Sequence, residues 1–200
     1  MKLPFDKSIN WSIGIAVITF VLAALFSIIS TAMLSGVTWA AGMVVVFCIV
    51  LIGIFFDIIG VAATAAQEKP FHAMAAEKVP GAKQAIVICR NADRVASFCN
   101  DVIGDISGIV SGTASAIVVI QLSFQFGHGD GSLFQTIVSI LFTSVVAATT
   151  VGGKAFGKTY AIRYSKNVIF QVGRLFYILE DKLKIKITPR LFNTKRQKTK

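Results

Sequence analysis

Apolar positions in this chain gather into four long blocks. The first runs from Trp11 to Leu34 without a charge, and the second from Thr38 to Ala66 with Asp57 as its one charge. The third runs from about Val102 to Phe124 and contains Asp105; the fourth runs from about Leu133 to Gly153 and is closed by Lys154. A helix of about 20 apolar residues crosses the hydrocarbon core of a bilayer, and each block has that length. Strands of an outer-membrane barrel would be about 10 residues long with alternating polarity, and that alternation is absent. The pattern predicts an all-α fold: a polytopic membrane protein with four transmembrane helices. Lys2 and Lys7 precede the first block, and Ser30-Thr31-Ala32 has the small residues of a cleavage site. The apolar run is nonetheless longer than the roughly 7–15 residues of a signal-peptide core, so it is expected to stay as a span.

Between the second and third blocks the pattern changes to short helices. Pro70 suits the first turn of a helix reaching about Lys78, and Pro80-Gly81 breaks it. A second short helix is predicted from Ala82 to Arg90. Asn91 reads as an N-cap with Asp93 in the following first turn, where the helix dipole favours an anion; that helix runs on into the third span. After the fourth block, Val168, Val172, Leu175, Leu179 and Leu183 recur at helical spacing beside Lys166, Arg174 and Lys182. This predicts a basic amphipathic helix over 160–183 lying at the membrane interface, ended by Thr188-Pro189. Three regions follow: an N-terminal span and turn over 1–37; a domain over 38–183 with spans near 38–66, 102–124 and 133–153 and juxtamembrane helices over 67–100; and a basic tail over 184–200.

Composition supports a membrane protein. Hydrophobic residues make up 54% of the 200 positions and charged residues 15%, against about 25% charge in soluble domains. Mean hydropathy is +0.72. These values exclude a soluble globule, a disordered chain and a disulfide scaffold. The 20 Lys and Arg outnumber the 10 Asp and Glu, and the excess is placed with order. Basic residues occur before the first block, through 67–100 and after the fourth block, while Ser35–Val37 has none and 125–132 carries only His128 and Asp130. By the positive-inside rule, both termini and the 67–100 segment are expected in the cytoplasm, with the protein in a bacterial inner (plasma) membrane. The basic C-terminal region is expected to meet anionic lipid rather than nucleic acid. Cys48, Cys89 and Cys99 have no metal-ligand spacing and read as reduced thiols.

Chemistry is sought among polar groups inside the spans, because a buried charge there usually faces a partner or a cavity. Asp57, Asp105 and Lys154 all fall in the predicted cytoplasmic half. They read equally as an ion site or as an Asp–Lys pair that fixes packing. Gly104, Gly108, Gly112 and Ala116 form a small-residue stripe suited to close helix packing. Ser107, Ser111 and Ser115 run beside it and could line a polar path. Gly152-Gly153 near the end of the fourth block reads either as a helix break with free carbonyls or as the helix end. GxSxG, P-loop and HExxH motifs are absent, and His72 and His128 are predicted on opposite membrane faces. No enzyme activity is expected, and no covalently bound cofactor.

Several stretches resemble the transmembrane domain of the cyclin-M/CorC/CorB divalent-cation transporters. Phe55-Phe56-Asp57-Ile58-Ile59-Gly60-Val61-Ala62 is similar to that family's Phe-Phe-Ser-x-x-Glu-Thr-Ala stretch. Gly81-Ala82-Lys83 to Asn91-Ala92-Asp93-Arg94 resembles its Ala-Lys…Asn-Pro-Asp-Arg region, and Ile103-Gly104-Asp105 its Ile-Gly-Asn. Gly153-Lys154-Ala155-Phe156-Gly157-Lys158-Thr159-Tyr160-Ala161 is similar to its Gly-Glu-x-x-Pro-Lys-x-x-Ala. The resemblance covers roughly 40–183 and makes the first span an addition to a three-span core.

The resemblance implies a homodimer that transports or exports Mg²⁺ through a cytoplasm-facing cavity between the second, third and fourth spans. By position it implies a site of Asp57, Asp105 and Lys154; Asp57 and Asp105 are read as metal ligands or gating charges, Ser107 and Ser111 as helpers, and Lys154 as a counter-charge that stands in for a cation. The chain departs from the family at the charges. The stretch's glutamate is Gly60, the asparagine is Asp105, and the glutamate of the last span is Lys154. A lysine would repel an ion that wants near-octahedral oxygen ligands. Either Lys154 turns away and the aspartates serve, or the chain is a non-transporting scaffold or regulatory subunit that kept the fold. No CBS pair follows the last helix in this sequence, so regulation by bound nucleotide is expected to need another protein or be absent.

Overall fold

The computed structural model describes residues 5–127 and 131–183. Seven helices occur among them: α1 (Phe5–Leu34), α2 (Trp39–Ala65), α3 (Lys69–Ala76), α4 (Ala82–Arg90), α5 (Ala92–Gln125), α6 (Leu133–Arg163) and α7 (Ser165–Leu183). The helices α1, α2, α5 and α6 are long and apolar enough to cross a membrane. At 1.5 Å per residue, the 27 residues of α2 exceed the roughly 30 Å of a hydrocarbon core. The predicted tail over 184–200, with His128 and Asp130, lies outside the described residues.

The chain divides into two compact units, Met1–Phe56 with Asn100–Ala155 and Asp57–Cys99 with Phe156–Lys200. In the first, here the span unit, Leu34, Val46, Val50, Ala114, Val118 and Val146 form one buried cluster. Val102, Ile106 and Val110 form another, packed by Ile15, Leu22, Ala23 and Ile49. Ile15 and Leu22 meet the start of α5, whereas the Leu34 carbonyl accepts from Gln121 Nε2 at 2.9 Å; α1 and α5 therefore run the same way. Gly42 lies against Val118 and Gly53 against Ser107, so α2 runs opposite to α5. Phe47 meets Phe142 edge-on, ring centroids 6.5 Å apart, and Ile54 meets Gly153, so α6 runs with α2. This is up-and-down threading, with a short turn joining α1 to α2 and the short helices α3 and α4 separating α2 from α5 in the chain.

Gly152-Gly153 neither breaks nor ends its helix, contrary to both sequence readings. The α6 helix continues through the pair to Arg163. Glycine costs about 1 kcal/mol relative to alanine in a helix interior, and a long helix packed along its side carries that cost. At Gly153 the missing Cβ leaves the space that the Ile54 side chain occupies.

The second unit holds the short helices. Its core is Ala62, Ala63, Phe71, Ala85, Ile86, Ile88, Ala161 and Ile169. Pro70 sits in the first turn of α3 as expected, and α3 stops at Ala76. Gly81 then takes φ +90° and opens α4. A Cβ at Gly81 would stand 2.6 Å from the Arg174 backbone, and one at Gly173 would stand 2.6 Å from the Gly81 carbonyl. This glycine-on-glycine crossing seats α7 on α4. Gln84 Nε2 reinforces it by donating to Glu180 Oε2 at 2.8 Å.

Two local expectations are corrected. Asn91 makes no side-chain cap to the helix after it; its Nδ2 donates back to the Val87 carbonyl at 2.8 Å. The residue closes α4, its backbone N–H also reaching the Val87 and Ile88 carbonyls at 3.2 and 3.1 Å. The predicted helix over 160–183 is two elements: 160–163 ends α6, and α7 starts at Ser165. Within α7, Val168 and Val172 pack into the core of the second unit while Leu175 and Leu179 stay exposed.

Candidate functional site on the spanning helices

Asp57 is the most deeply placed charge among the described residues. It stands within α2, is 4% exposed, and its Oδ2 has no hydrogen-bond partner. Helix α2 places it there because the run from Trp39 is apolar through Phe56 and leaves the chain no alternative to a continuous helix. A desolvated carboxylate oxygen without a donor is costly, and a bound cation is one of the few partners that offsets the cost.

Asp105 begins the regular α-helical part of α5, immediately after a π-helical stretch over Ser97–Gly104. Such wide turns are rare and concentrate at functional sites. Asp105 is exposed, and Asn100 within the π stretch has a buried Oδ1 without a partner. Lys154 is half-buried on α6. No ion pair joins it to Asp105, so the packing pair considered for these charges is not formed in the span unit. Among the described residues, no group of three or more His, Cys, Asp and Glu could hold a metal.

The two stripes of α5 exchange most of their expected roles, Gly104 alone of its stripe being buried. Ser107, Ser111 and Ser115 are buried in the helix contacts. A Cβ on Gly53 would stand 2.8 Å from the Ser107 Cβ. Ser111 Oγ donates to the Gly108 carbonyl at 2.9 Å and Ser115 Oγ to the Ser111 carbonyl at 2.7 Å. Gly108, Gly112 and Ala116 are exposed, and nothing lies within 4 Å of where a Cβ would be on either glycine. The serines are the small packing residues here, and Ser111 and Ser115 spend their hydroxyl protons on their own helix.

Three polar features had no sequence signal that periodicity could raise. Ser30 is 7% exposed with an unpartnered Oγ, although the sequence offers it only as a cleavage-site residue. Gln121 ties α5 to the end of α1, and its Oε1 is unpartnered. In the second unit, Glu68 Oε1 accepts from Arg90 Nε at 2.6 Å and lies 2.7 Å from His72 Nε2. This clasp joins the start of α3 to the end of α4.

Partial burial pushes the Glu68 carboxyl up, but the hydrogen bonds from Arg90 and His72 and their charges outweigh it and hold the group below its ordinary range. A lowered folded-state value means that the clasp stabilises above the unfolded carboxyl value of about 4.3 and is lost as pH falls through the folded value. The expected contribution is within about 1 kcal/mol because the pair is solvent-facing. Stability measured from pH 6 down to pH 3 (roughly the carboxylate range) should fall less steeply in Arg90→Gln than in the parent; equal slopes would rule the clasp out. The Cys89 thiol nearby is pushed up by burial and then by the Glu68 charge, which disfavours the reactive thiolate.

Four long apolar helices with exposed apolar sides, Phe20 at 75% and Leu133 at 83% among them, define a polytopic α-helical membrane protein; in water such a surface would aggregate. No known protein family matches the chain, and comparison with curated proteins and with solved structures returns no match.

Proposed function

We propose that this membrane protein transports a divalent cation, with Mg²⁺ as the ion and with Asp57 and Asp105, one in each unit, each an oxygen ligand along its path. The observation that carries the reading is the buried carboxylate of Asp57 with an unpartnered oxygen on a spanning helix. A hard cation prefers carboxylate and carbonyl oxygens. The resemblance of 40–183 to cyclin-M/CorC/CorB transporters supports Mg²⁺ as the ion and its transport or efflux as the activity. Ser107 and Ser111 then hold the helices at the right spacing: both are buried, and the Ser111 hydroxyl is committed to the Gly108 carbonyl. The Lys and Arg asymmetry supports cytoplasmic termini in a bacterial inner membrane. The open face of Gly108, Gly112 and Ala116 supports a homodimer, because small residues allow close helix approach in lipid.

A specific observation favours a second reading. Lys154 is half-buried at the place where the resembled family has a glutamate. A fixed positive charge there suits a scaffold or regulatory subunit without transport.

Mg²⁺ flux into proteoliposomes separates the two. Under the transport reading the parent protein moves Mg²⁺, and Asp105→Ala lowers the rate on the order of tenfold or more, as loss of a metal ligand does. Flux that arises only in Lys154→Glu establishes the scaffold reading. A parent and both variants at background end the transport proposal.

A further inference from the structure

The α7 helix has two apolar sides, and only one is used within the chain. Val168, Ile169, Val172 and Phe176 pack on the core of the second unit. A different set faces outward. Leu175 is 55% exposed, Ile178 42% and Leu179 36%. With Lys182 these occupy positions i, i+3, i+4 and i+7, which is one continuous side of a helix. Arg174 and Lys182 are exposed beside them, Lys166 is exposed further round, and Asp181 is the exposed acid on the same helix.

Three further facts narrow the choice of partner. The chain has 3 tyrosines, and all of them, Tyr160, Tyr164 and Tyr177, are exposed in this part of the second unit. Tyrosines prefer the headgroup level of a bilayer. The rings of Tyr160 and Tyr164 lie 4.8 Å apart, and the Arg163 guanidinium sits 5.7 Å from the Tyr164 centroid. Chain connectivity also starts α7 at Ser165, directly after a helix long enough to span the membrane. Finally, residues 184–200 add Lys and Arg with no Asp or Glu.

We infer that the outward stripe of α7, with Arg174, Lys182 and the tyrosines, is a docking surface for anionic phospholipid headgroups. Leu175, Ile178 and Leu179 enter the acyl boundary, the basic residues meet the phosphates, and the inner face holds α4. Apolar area and charge act together in such a surface, and neither suffices alone. The inference does not depend on whether the chain moves an ion. It differs from a helix lying free on the bilayer, because Gly173 and Gln84 fix the rotation of α7 and therefore which side chains meet lipid.

The test uses the full chain with Cys48, Cys89 and Cys99 replaced by alanine and the single substitution Leu175→Cys carrying the environment-sensitive fluorophore NBD. It is reconstituted in nanodiscs of phosphatidylcholine with or without phosphatidylglycerol. The expected result is a blue-shifted emission that requires phosphatidylglycerol, is quenched by lipids brominated on the acyl chain, and weakens between about 0.1 and 1 M salt as the Debye length falls from ~10 to ~3 Å. Arg174→Glu with Lys182→Glu should remove the phosphatidylglycerol-dependent part, each lost charge weakening the preference about fivefold. Emission that is unshifted and unquenched in both lipids overturns the inference and leaves the stripe in water. A shift that follows the number of protein copies per disc, and not the lipid, assigns the stripe to a second copy and also overturns it. Native mass spectrometry of the chain with its own cysteines provides an independent readout. The parent should retain phosphatidylglycerol over phosphatidylcholine, and the double charge reversal should not; equal retention by both proteins overturns the inference.

Discussion

Gly81→Ala is expected to unfold the short-helix unit at temperatures where the parent is intact. Two penalties coincide at this position. The backbone has φ +90°, which an L side chain adopts only with strain of about 1–3 kcal/mol. The new Cβ would also stand 2.6 Å from the Arg174 nitrogen and Cα, and those are backbone atoms of a helix that cannot turn aside as a side chain can. Overpacking of this kind costs a further ~1–3 kcal/mol. Gly173→Ala meets the same crossing from the other side, at the Gly81 carbonyl and the Ala85 nitrogen. Thermal unfolding in detergent, followed by a dye that fluoresces on reaction with newly exposed Cys89 and Cys99, reads the loss directly. Gly14→Ala is the control, since open space surrounds that position, and its transition should match the parent. A parent-like transition in Gly81→Ala would mean that α4 and α7 are not joined at this crossing.

Under the transport proposal, Asp57→Asn is expected to leave the protein more stable and without Mg²⁺ flux. Asparagine keeps the shape of the side chain and removes a charge that is 4% exposed with one oxygen unpartnered. Relief of that burial should raise stability by about 1–3 kcal/mol, while Mg²⁺ flux falls on the order of tenfold or more. Gains of stability at the expense of activity mark residues kept for function. The opposite outcome is equally informative. If Asp57→Asn destabilised the fold by about 3–5 kcal/mol, the carboxylate would be half of a structural ion pair, and its role as an ion ligand would be lost with it. Thermal unfolding with and without Mg²⁺ adds a second check, because a ligand that binds only the folded state raises its stability; Asp57→Asn should abolish any such rise.

Much of the secondary structure is legible in the sequence because its causes are local. Unbroken apolar runs of membrane-crossing length admit only helices in lipid, and α1, α2, α5 and α6 follow from that alone. Pro70 and Gly81 mark the start of α3 and of α4 because a fixed φ and a positive φ are properties of single residues. Asp57 and Asp105 stand out for the same reason: a charge in an apolar run is visible without knowing its neighbours.

Orientation around each helix axis is a different kind of information. In α5 the glycine and serine stripes are equally small and equally spaced, and periodicity cannot rank them. Gly53, more than fifty positions earlier in the chain, settles the matter by admitting Ser107 and leaving Gly108 and Gly112 open. Gly152-Gly153 looks like a helix end until Ile54 fills the gap beside it. Asn91 reads as the start of one helix and serves as the end of another. Val168 and Leu175 share a hydrophobic rhythm, yet the core of the second unit covers the first and leaves the second exposed. The sequence by itself determined where the helices run and which charges lie in them, since chain length, hydropathy and backbone restriction act residue by residue. Only the tertiary structure decided which side of each helix is buried, because that depends on close contacts with side chains far away in the chain.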